Sequence, residues 1–441
     1  MKHRLSVKTI ETFLLGFIAF GLSGAIVRLI SSGTGTEDLT TQGDPRFEVA
    51  LAAFYLIAGL IYLAHLAPSI RATLSAPAIP ALLVLACISP LWAELPGVVA
   101  RRAVGVVGAT LFGIVLASRL SFDDQLLLFR RLFRICAALC VVAFVAGKIL
   151  GVQIVTGSTG GIMDSGGAGP WRGIFNHKNM LGSAVAIGIL AEWHLPARST
   201  FSRTLKVGWM CLYAALLILS DSMTSAVGIV LTFAAMYAVK SYRGRYRFVF
   251  PAFALVLLVM ALVFYLNAGP AMALVGRSSD LTGRAELWRW TLAMIHQRPL
   301  LGYGFSGFWR GASDMSRTLE ARIRWSPIYA HNGYLEVLLS LGFVGLALFG
   351  WMAAVGLWRS LHIARRAHSD RELWPLANMI FFLIHNIAEV SIMWQNSLEW
   401  GLFVATVVGG DPRIRVCLER ESEEESVPDA LPEFASPEVV A

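Results

Sequence analysis

The chain has 441 residues, of which 56% are apolar and only 15% charged, and its mean hydropathy is +0.63. Soluble domains carry roughly 25% charged residues, so these proportions exclude a soluble globular protein of this length. The net charge of +8 divides into −6 on residues 411–441 and +14 on the remainder. Basic loops of a membrane protein account for that excess without any nucleic-acid partner.

In chain order, Lys2, Arg4 and Lys8 precede an apolar run that is too long for a cleaved leader and lacks a clear cleavage site, so it reads as a first span. Apolar stretches near the ~20 residues a membrane helix needs then fall at 10–30, 48–67, 79–93, 101–120, 132–151, 178–195, 207–221, 225–240, 248–267, 331–358, 374–392 and 396–410. The expected fold is an all-α, polytopic helix bundle of about twelve spans. Residues 1–410 form one membrane domain, and the acidic tail 411–441 is expected to be disordered and cytoplasmic.

Placing the N-terminus in the cytoplasm makes every inner loop basic: Arg71; Arg119, Arg130, Arg131 and Arg134; Arg198, Arg203 and Lys206; Lys240, Arg243, Arg245 and Arg247; Arg359, Arg365, Arg366 and Arg371. Arg101 and Arg102 are the exception, at the outer end of a span. Two outer, periplasmic loops then stand out. Residues 152–177 are glycine-rich and run into Arg172-Gly-Ile-Phe-Asn-His-Lys-Asn179, at the mouth of the sixth span. Residues 268–330 hold eight arginines, four acids and four tryptophans, a composition that argues against disorder.

Within the long loop, Arg284–His296 has helical periodicity, with Asp280 or Thr282 as cap and Pro299 as terminator. Arg284, Leu287, Trp288, Thr291 and Ile295 share one face, which suits a helix lying in the membrane interface with Arg284 either aimed at a lipid phosphate or snorkelling. Pro299–Trp309 interleaves glycines and aromatics, which reads either as backbone made approachable by a ligand or as a tight turn. His331, in Ala330-His-Asn-Gly-Tyr-Leu-Glu336, opens the tenth span from outside. The positive end of a helix dipole there favours a neutral imidazole and a nearby anion, so a base and a phosphate can share the spot; an inert interfacial histidine is the plainer reading. His385 and Glu389 lie one turn apart within the eleventh span, as a structural pair or a functional one. Asp221 reads as a cap. The five scattered cysteines read as small apolar residues or a tail thiol, and no metal cluster is expected.

Taken together, Ser89–Pro96 with Arg101-Arg102, Arg172–Asn179, Leu281–Trp288, Pro299–Gly304 and His331–Glu336 resemble the O-antigen ligase and exopolysaccharide polymerase family of bacterial inner membranes, with the combination closest to the polymerase branch. The resemblance implies a metal-independent glycosyltransferase, without cofactor, that takes a saccharide from undecaprenyl diphosphate at the periplasmic face. Its partners would be a lipid-linked oligosaccharide donor, a glycan acceptor, membrane lipids and a chain-length regulator. By the same resemblance Arg284 maps onto an essential loop arginine and His331 onto a candidate base. Arg172, His177, Lys178 and Asn179 match a second basic motif suited to the donor phosphate. Arg289, Asn332, Glu336 and Glu389 complete the expected substrate contacts. A ligase moving finished glycan to a lipid or protein acceptor is the alternative. A secondary transporter ranks third, because no internal repeat accompanies the outward clustering of polar motifs.

Overall fold

The computed structural model describes residues 7–25, 45–150, 170–197, 199–241, 284–309, 314–323 and 327–426. The expected span 248–267, most of the glycine-rich loop and the capping candidates Asp280 and Thr282 lie outside these residues.

The described residues are helical: α1 (Val7–Leu22), α2 (Pro45–Ala64), α3 (Leu66–Leu74), α4 (Ala78–Ile88), α5 (Pro96–Arg119), α6 (Phe122–Leu150), α7 (Lys178–His194), α8 (Thr200–Ser220), α9 (Met223–Ser241), α10 (Arg284–Gln297), α11 (Asp314–Ile323), α12 (Gly333–Arg366), α13 (Trp374–His385), α14 (Leu398–Gly409) and α15 (Pro412–Ser426). Five of them (α5, α6, α8, α9 and α12) are long and apolar enough to cross a membrane; the pair α2–α3, bent by 102°, is long and apolar enough only when taken together, as a broken span or a re-entrant loop. About twelve such spans were expected, and the described residues do not supply them. The apolar runs at 79–93, 374–392 and 396–410 instead become the short helices α4, α13 and α14, of 11, 12 and 12 residues, well under the ~20 that a crossing needs. The chain is a multi-pass helical membrane protein with several shorter helices packed among its spans.

Helix α5 runs through the centre, buried almost continuously from Ala103 to Arg119. It meets α14 at glycines: a Cβ on Gly113 would come within 2.4 Å of the Gly401 carbonyl oxygen. Small residues of this kind let helix backbones approach where lipid gives no hydrophobic drive to associate. Trp400 then donates to Thr110 Oγ1 at 2.8 Å and stacks on Phe403. Large apolar side chains such as Phe13, Phe201, Ile218 and Trp358 point outward, as a bilayer-facing surface requires.

One end of the bundle gathers ion pairs. Arg119 joins Glu11 of α1 to Glu421 of α15, at 2.9 Å each. Arg359 reaches Asp411 at 2.7 Å and the carbonyls of Val407 and Ser75. Arg134 and Glu192 form a two-bond pair at 2.9 and 2.7 Å. The acidic tail therefore differs from the disordered segment expected: its first part, Pro412–Ser426, is helical, started by Asp411 accepting from the Arg413 amide and tied down by Glu421.

The described part of the long arginine-rich segment is folded too. Leu287, Met294 and Ile295 of α10, Leu319 and Ile323 of α11, and Tyr303, Phe308 and Trp309 between them form a small core of their own against Leu339 of α12. Its seat is a break in α12. Gly342 has φ +65°, and a Cβ there would lie 2.2 Å from the Leu300 carbonyl. Across the break, Tyr303 and Gly304 amides donate to the Leu339 and Ser340 carbonyls at 2.9 and 3.0 Å, while Phe343 and Val344 amides donate to Pro299 and Leu300. The inserted chain thus satisfies the backbone groups that the kinked helix frees. Of the two readings of Pro299–Trp309, the tight turn fits the structure: Gly302 lies against the Leu339–Ser340 backbone, and Gly304 and Gly307 against Ala93 and Val99.

Candidate active site

At the end opposite the ion pairs of α1, α5 and α15, five segments converge: the turn at 171–177, the starts of α7, α10 and α12, and the stretch 386–394 after α13. Backbone bonds set the register. The Gly333 amide donates to the Asn386 carbonyl at 2.8 Å, and the Asn386 side chain in turn accepts from the Ser391 and Ile392 amides. That turn stops α13 at His385, so Glu389 stands beyond the helix and not within the span expected at 374–392. His385 has Glu399 at 3.6 Å and Ser225 as its nearest partners, while it still acts on the Glu389 carboxylate from farther off.

Glu389, 6% exposed, is the hub. Its Oε1 accepts from Arg284 at 3.0 Å and from the Asn179 amide group, and Tyr329 is hydrogen-bonded to the same carboxylate. Arg284 also donates to the Ala388 carbonyl at 2.8 Å, and its guanidinium lies 3.4 Å from His331 Nδ1, which is itself 4.0 Å from Glu389 Oε2. The arginine face of α10 is therefore turned onto protein; Leu287, Thr291 and Ile295 are buried, so the expected lipid-facing placement does not hold. Arginine has no acceptor, so in its contact with Arg284 the His331 Nδ1 accepts, and the proton of the neutral ring sits on Nε2.

Burial holds the charges in unusual states. His331 titrates well below the ordinary histidine value, through burial first and then the nearby Arg284 and His177. His177 is pushed down to about 4, by burial and then by Lys178, Arg284 and Arg172. Burial pushes the Glu389 carboxyl up, opposed by Arg284, and lowers Arg172. Arg172 Nε is enclosed without a hydrogen-bond partner among the described residues. The site thus holds two neutral imidazoles, one shared carboxylate and two guanidiniums.

The remaining expected residues have other duties. Lys178 pairs with Asp221 at 3.2 Å on an exposed rim, and Asp221 is the left-handed C-cap of α8. Asn332 caps α12, accepting from the Tyr334 and Leu335 amides and donating to the Ile387 carbonyl. Glu336 is buried on the Trp309 indole and the Ala330 amide. Arg289 is 72% exposed, beside Glu286 and Trp290 and away from the cluster. Two aromatic neighbours were not anticipated: Tyr329, with its ring 4.3 Å from that of His331, and Trp394, 5.3 Å from Tyr329. His331 itself has φ +51°, a left-handed conformation uncommon outside glycine. It is pinned from both sides of Ala330, whose amide donates to Glu336 and whose carbonyl accepts from Trp288.

Residues 207–350 match the family described as O-antigen ligase. The matched third of the chain runs from α8 to just past the break in α12, so Arg284 and His331 fall inside it and Arg172, His177, Asn179 and Glu389 outside. No curated protein matches the chain. The match bears out the resemblance to that family over this segment, and the apolar helices make the chain a multi-pass membrane protein.

Proposed function

We propose that this protein is an inner-membrane glycosyltransferase that polymerises saccharide repeat units carried on undecaprenyl diphosphate, working at the periplasmic face for exopolysaccharide synthesis. The observation that carries the reading is the joining of His331, Arg284 and Glu389 at one end of the bundle, with Arg172 and His177 beside them. The basic residues at the opposite end support a cytoplasmic position for that end, and so for both termini.

Transfer requires an acceptor hydroxyl to attack the anomeric carbon while the bond from that carbon to the diphosphate oxygen breaks, its electron pair leaving with the lipid diphosphate. Arg284 and Arg172 offset the charge that develops on the leaving group. His331 takes the hydroxyl proton. At rest its Nδ1 faces Arg284; when the diphosphate draws that guanidinium away, Nδ1 is free to accept, and the imidazolium formed lies beside Glu389. Asn179 and Tyr329 keep that carboxylate in place. The reaction as drawn uses only groups of this chain and needs no metal. A chain-length regulator would act from outside this site.

His331→Ala and Arg284→Ala should each abolish polymer while the protein persists in the membrane; normal polymer from both variants would sink the proposal. The family description also favours a second reading, a ligase. Glycans of a deletion strain separate the two: single lipid-linked repeats mark a polymerase, long unattached chains a ligase.

A further inference from the structure

At the end opposite His331, α6 carries Arg130, Arg131 and Arg134 just before its outward apolar stripe begins at Ile135 and continues through Val142, Val145 and Ile149. That order places the three arginines at the level where lipid headgroups meet acyl chains. Four guanidiniums gather here, since Arg134, Arg131 and Arg371 all act on Arg130, against the carboxylate of Glu192. Glu192 is fully engaged: both its oxygens accept from Arg134, which also lies over the Trp209 ring at 5.3 Å. Arg371 has Asp123 at 3.4 Å. Neither Arg130 nor Arg131 has a carboxylate within 4.0 Å among the described residues, Glu192 acting on Arg130 only from farther off, and Arg130 Nε is enclosed with no hydrogen-bond partner there. An enclosed guanidinium nitrogen without an acceptor is costly, and a guanidinium suits phosphate oxygens through paired N–H donors. Exposed Trp193 and Phe201 on the neighbouring helices α7 and α8 supply the aromatic and apolar surface that borders lipid headgroups.

We propose that Arg130 and Arg131 form a binding site for the phosphate headgroup of an anionic phospholipid, in the leaflet opposite the His331–Arg284 cluster. The site is independent of the glycosyl-transfer reading, since none of its residues touches that cluster.

The test uses full-length protein, delipidated in neutral detergent, with phosphatidylglycerol, phosphatidylcholine and inorganic phosphate as probes. Bound lipid is read by native mass spectrometry and affinity by the shift in unfolding temperature. Phosphatidylglycerol should bind and raise that temperature, and Arg130→Gln/Arg131→Gln should weaken it about thirtyfold, as expected for two headgroup-level cations. Arg131→Gln alone, at an exposed position, should weaken it about fivefold and keeps the test decisive if the double variant does not fold. The control Arg365→Gln/Arg366→Gln removes two exposed cations from the same end and should leave binding unchanged. Equal loss in the control would mean only a diffuse positive field and overturn the site. Equal binding of phosphatidylcholine, an equal shift with inorganic phosphate, or no loss in Arg131→Gln would also overturn it.

Discussion

The two ends of the bundle both bury arginine–carboxylate pairs, yet they balance charge differently. Around Arg359, the Asp411 carboxylate and the carbonyls of Val407 and Ser75 accept from both terminal nitrogens of the guanidinium. Around Glu389, one carboxylate serves Arg284, Asn179 and Tyr329, Arg172 Nε is left without a partner among the described residues, and His177 and His331 are held neutral by burial and neighbouring cations. A closed set of partners holds helices together. An excess of cation around a shared carboxylate leaves something for an anionic substrate to complete. Removing a charge should therefore cost stability at the first end and turnover at the second.

The largest expected effect is on turnover. His331→Ala should lower polymer formation about a hundredfold or more, the range of a lost general base, with membrane levels of the protein unchanged. Glu389→Gln should fall nearly as far, because the neutral side chain no longer holds Arg284; comparing accumulated lipid-linked donor with protein level separates this from misfolding. Arg359→Ala should do the reverse. It takes the buried donor from Asp411 and from the Val407 and Ser75 carbonyls; Arg413 still pairs with Asp411 at 3.0 Å, so the cost should fall at or below the about 3–5 kcal/mol of a broken buried pair, and protein should be lost from the membrane while each surviving molecule stays active. An Arg359→Ala protein present at normal level would break the comparison.

A smaller effect concerns acid. His177 is lowered to about 4 in the folded protein, whereas in an unfolded chain it titrates near ~6.5. Between those values the unfolded chain binds the extra proton, so stability rises with pH there. The contribution is present above about pH 6.5 and lost as pH falls toward 4. His177 also caps α7 by accepting from the Asn179 amide. His177→Asn keeps a capping acceptor, so its unfolding temperature should fall less than that of the parent as pH drops through this window, while matching it near neutrality.

How far the sequence carried the picture can be judged from single residues. Hydropathy and loop charge foretold an all-helical membrane chain, and the motif resemblance brought out Arg284 and His331, which do meet. The spacing of four from His385 did mark one turn, since the Glu389 amide donates to the His385 carbonyl at 3.1 Å, but Glu389 lies past the end of the helix, and the tertiary bond from Gly333 to the Asn386 carbonyl was not legible in the sequence. The short helices α13 and α14 were read as spans because composition reports apolar character and cannot tell a crossing from a core. Asn332, directly before Gly-Tyr-Leu, carries the residue type of a helix cap, yet it was expected as a substrate contact; the structure shows it capping α12. Tyr329 carried no such signal: it meets the His331 ring through a bent segment in which His331 is left-handed, a geometry that sequence spacing does not show.

Arg289 gives the smallest expected effect and the sharpest check on where the site ends. It lies five residues after Arg284, so at 3.6 residues per turn its side chain is rotated by about 140°. One arginine faces Glu389, 18% exposed, while the other stands 72% exposed with Glu286 3.8 Å away. An exposed pair of this kind contributes roughly 0–1 kcal/mol. Arg289→Ala should therefore leave both protein level and polymer yield close to those of the parent, where Arg284→Ala abolishes polymer. Should Arg289→Ala instead lose polymer at normal protein level, donor or acceptor must also contact the outer face of α10, and the excess of cation that distinguishes this end would extend beyond the Glu389 hub.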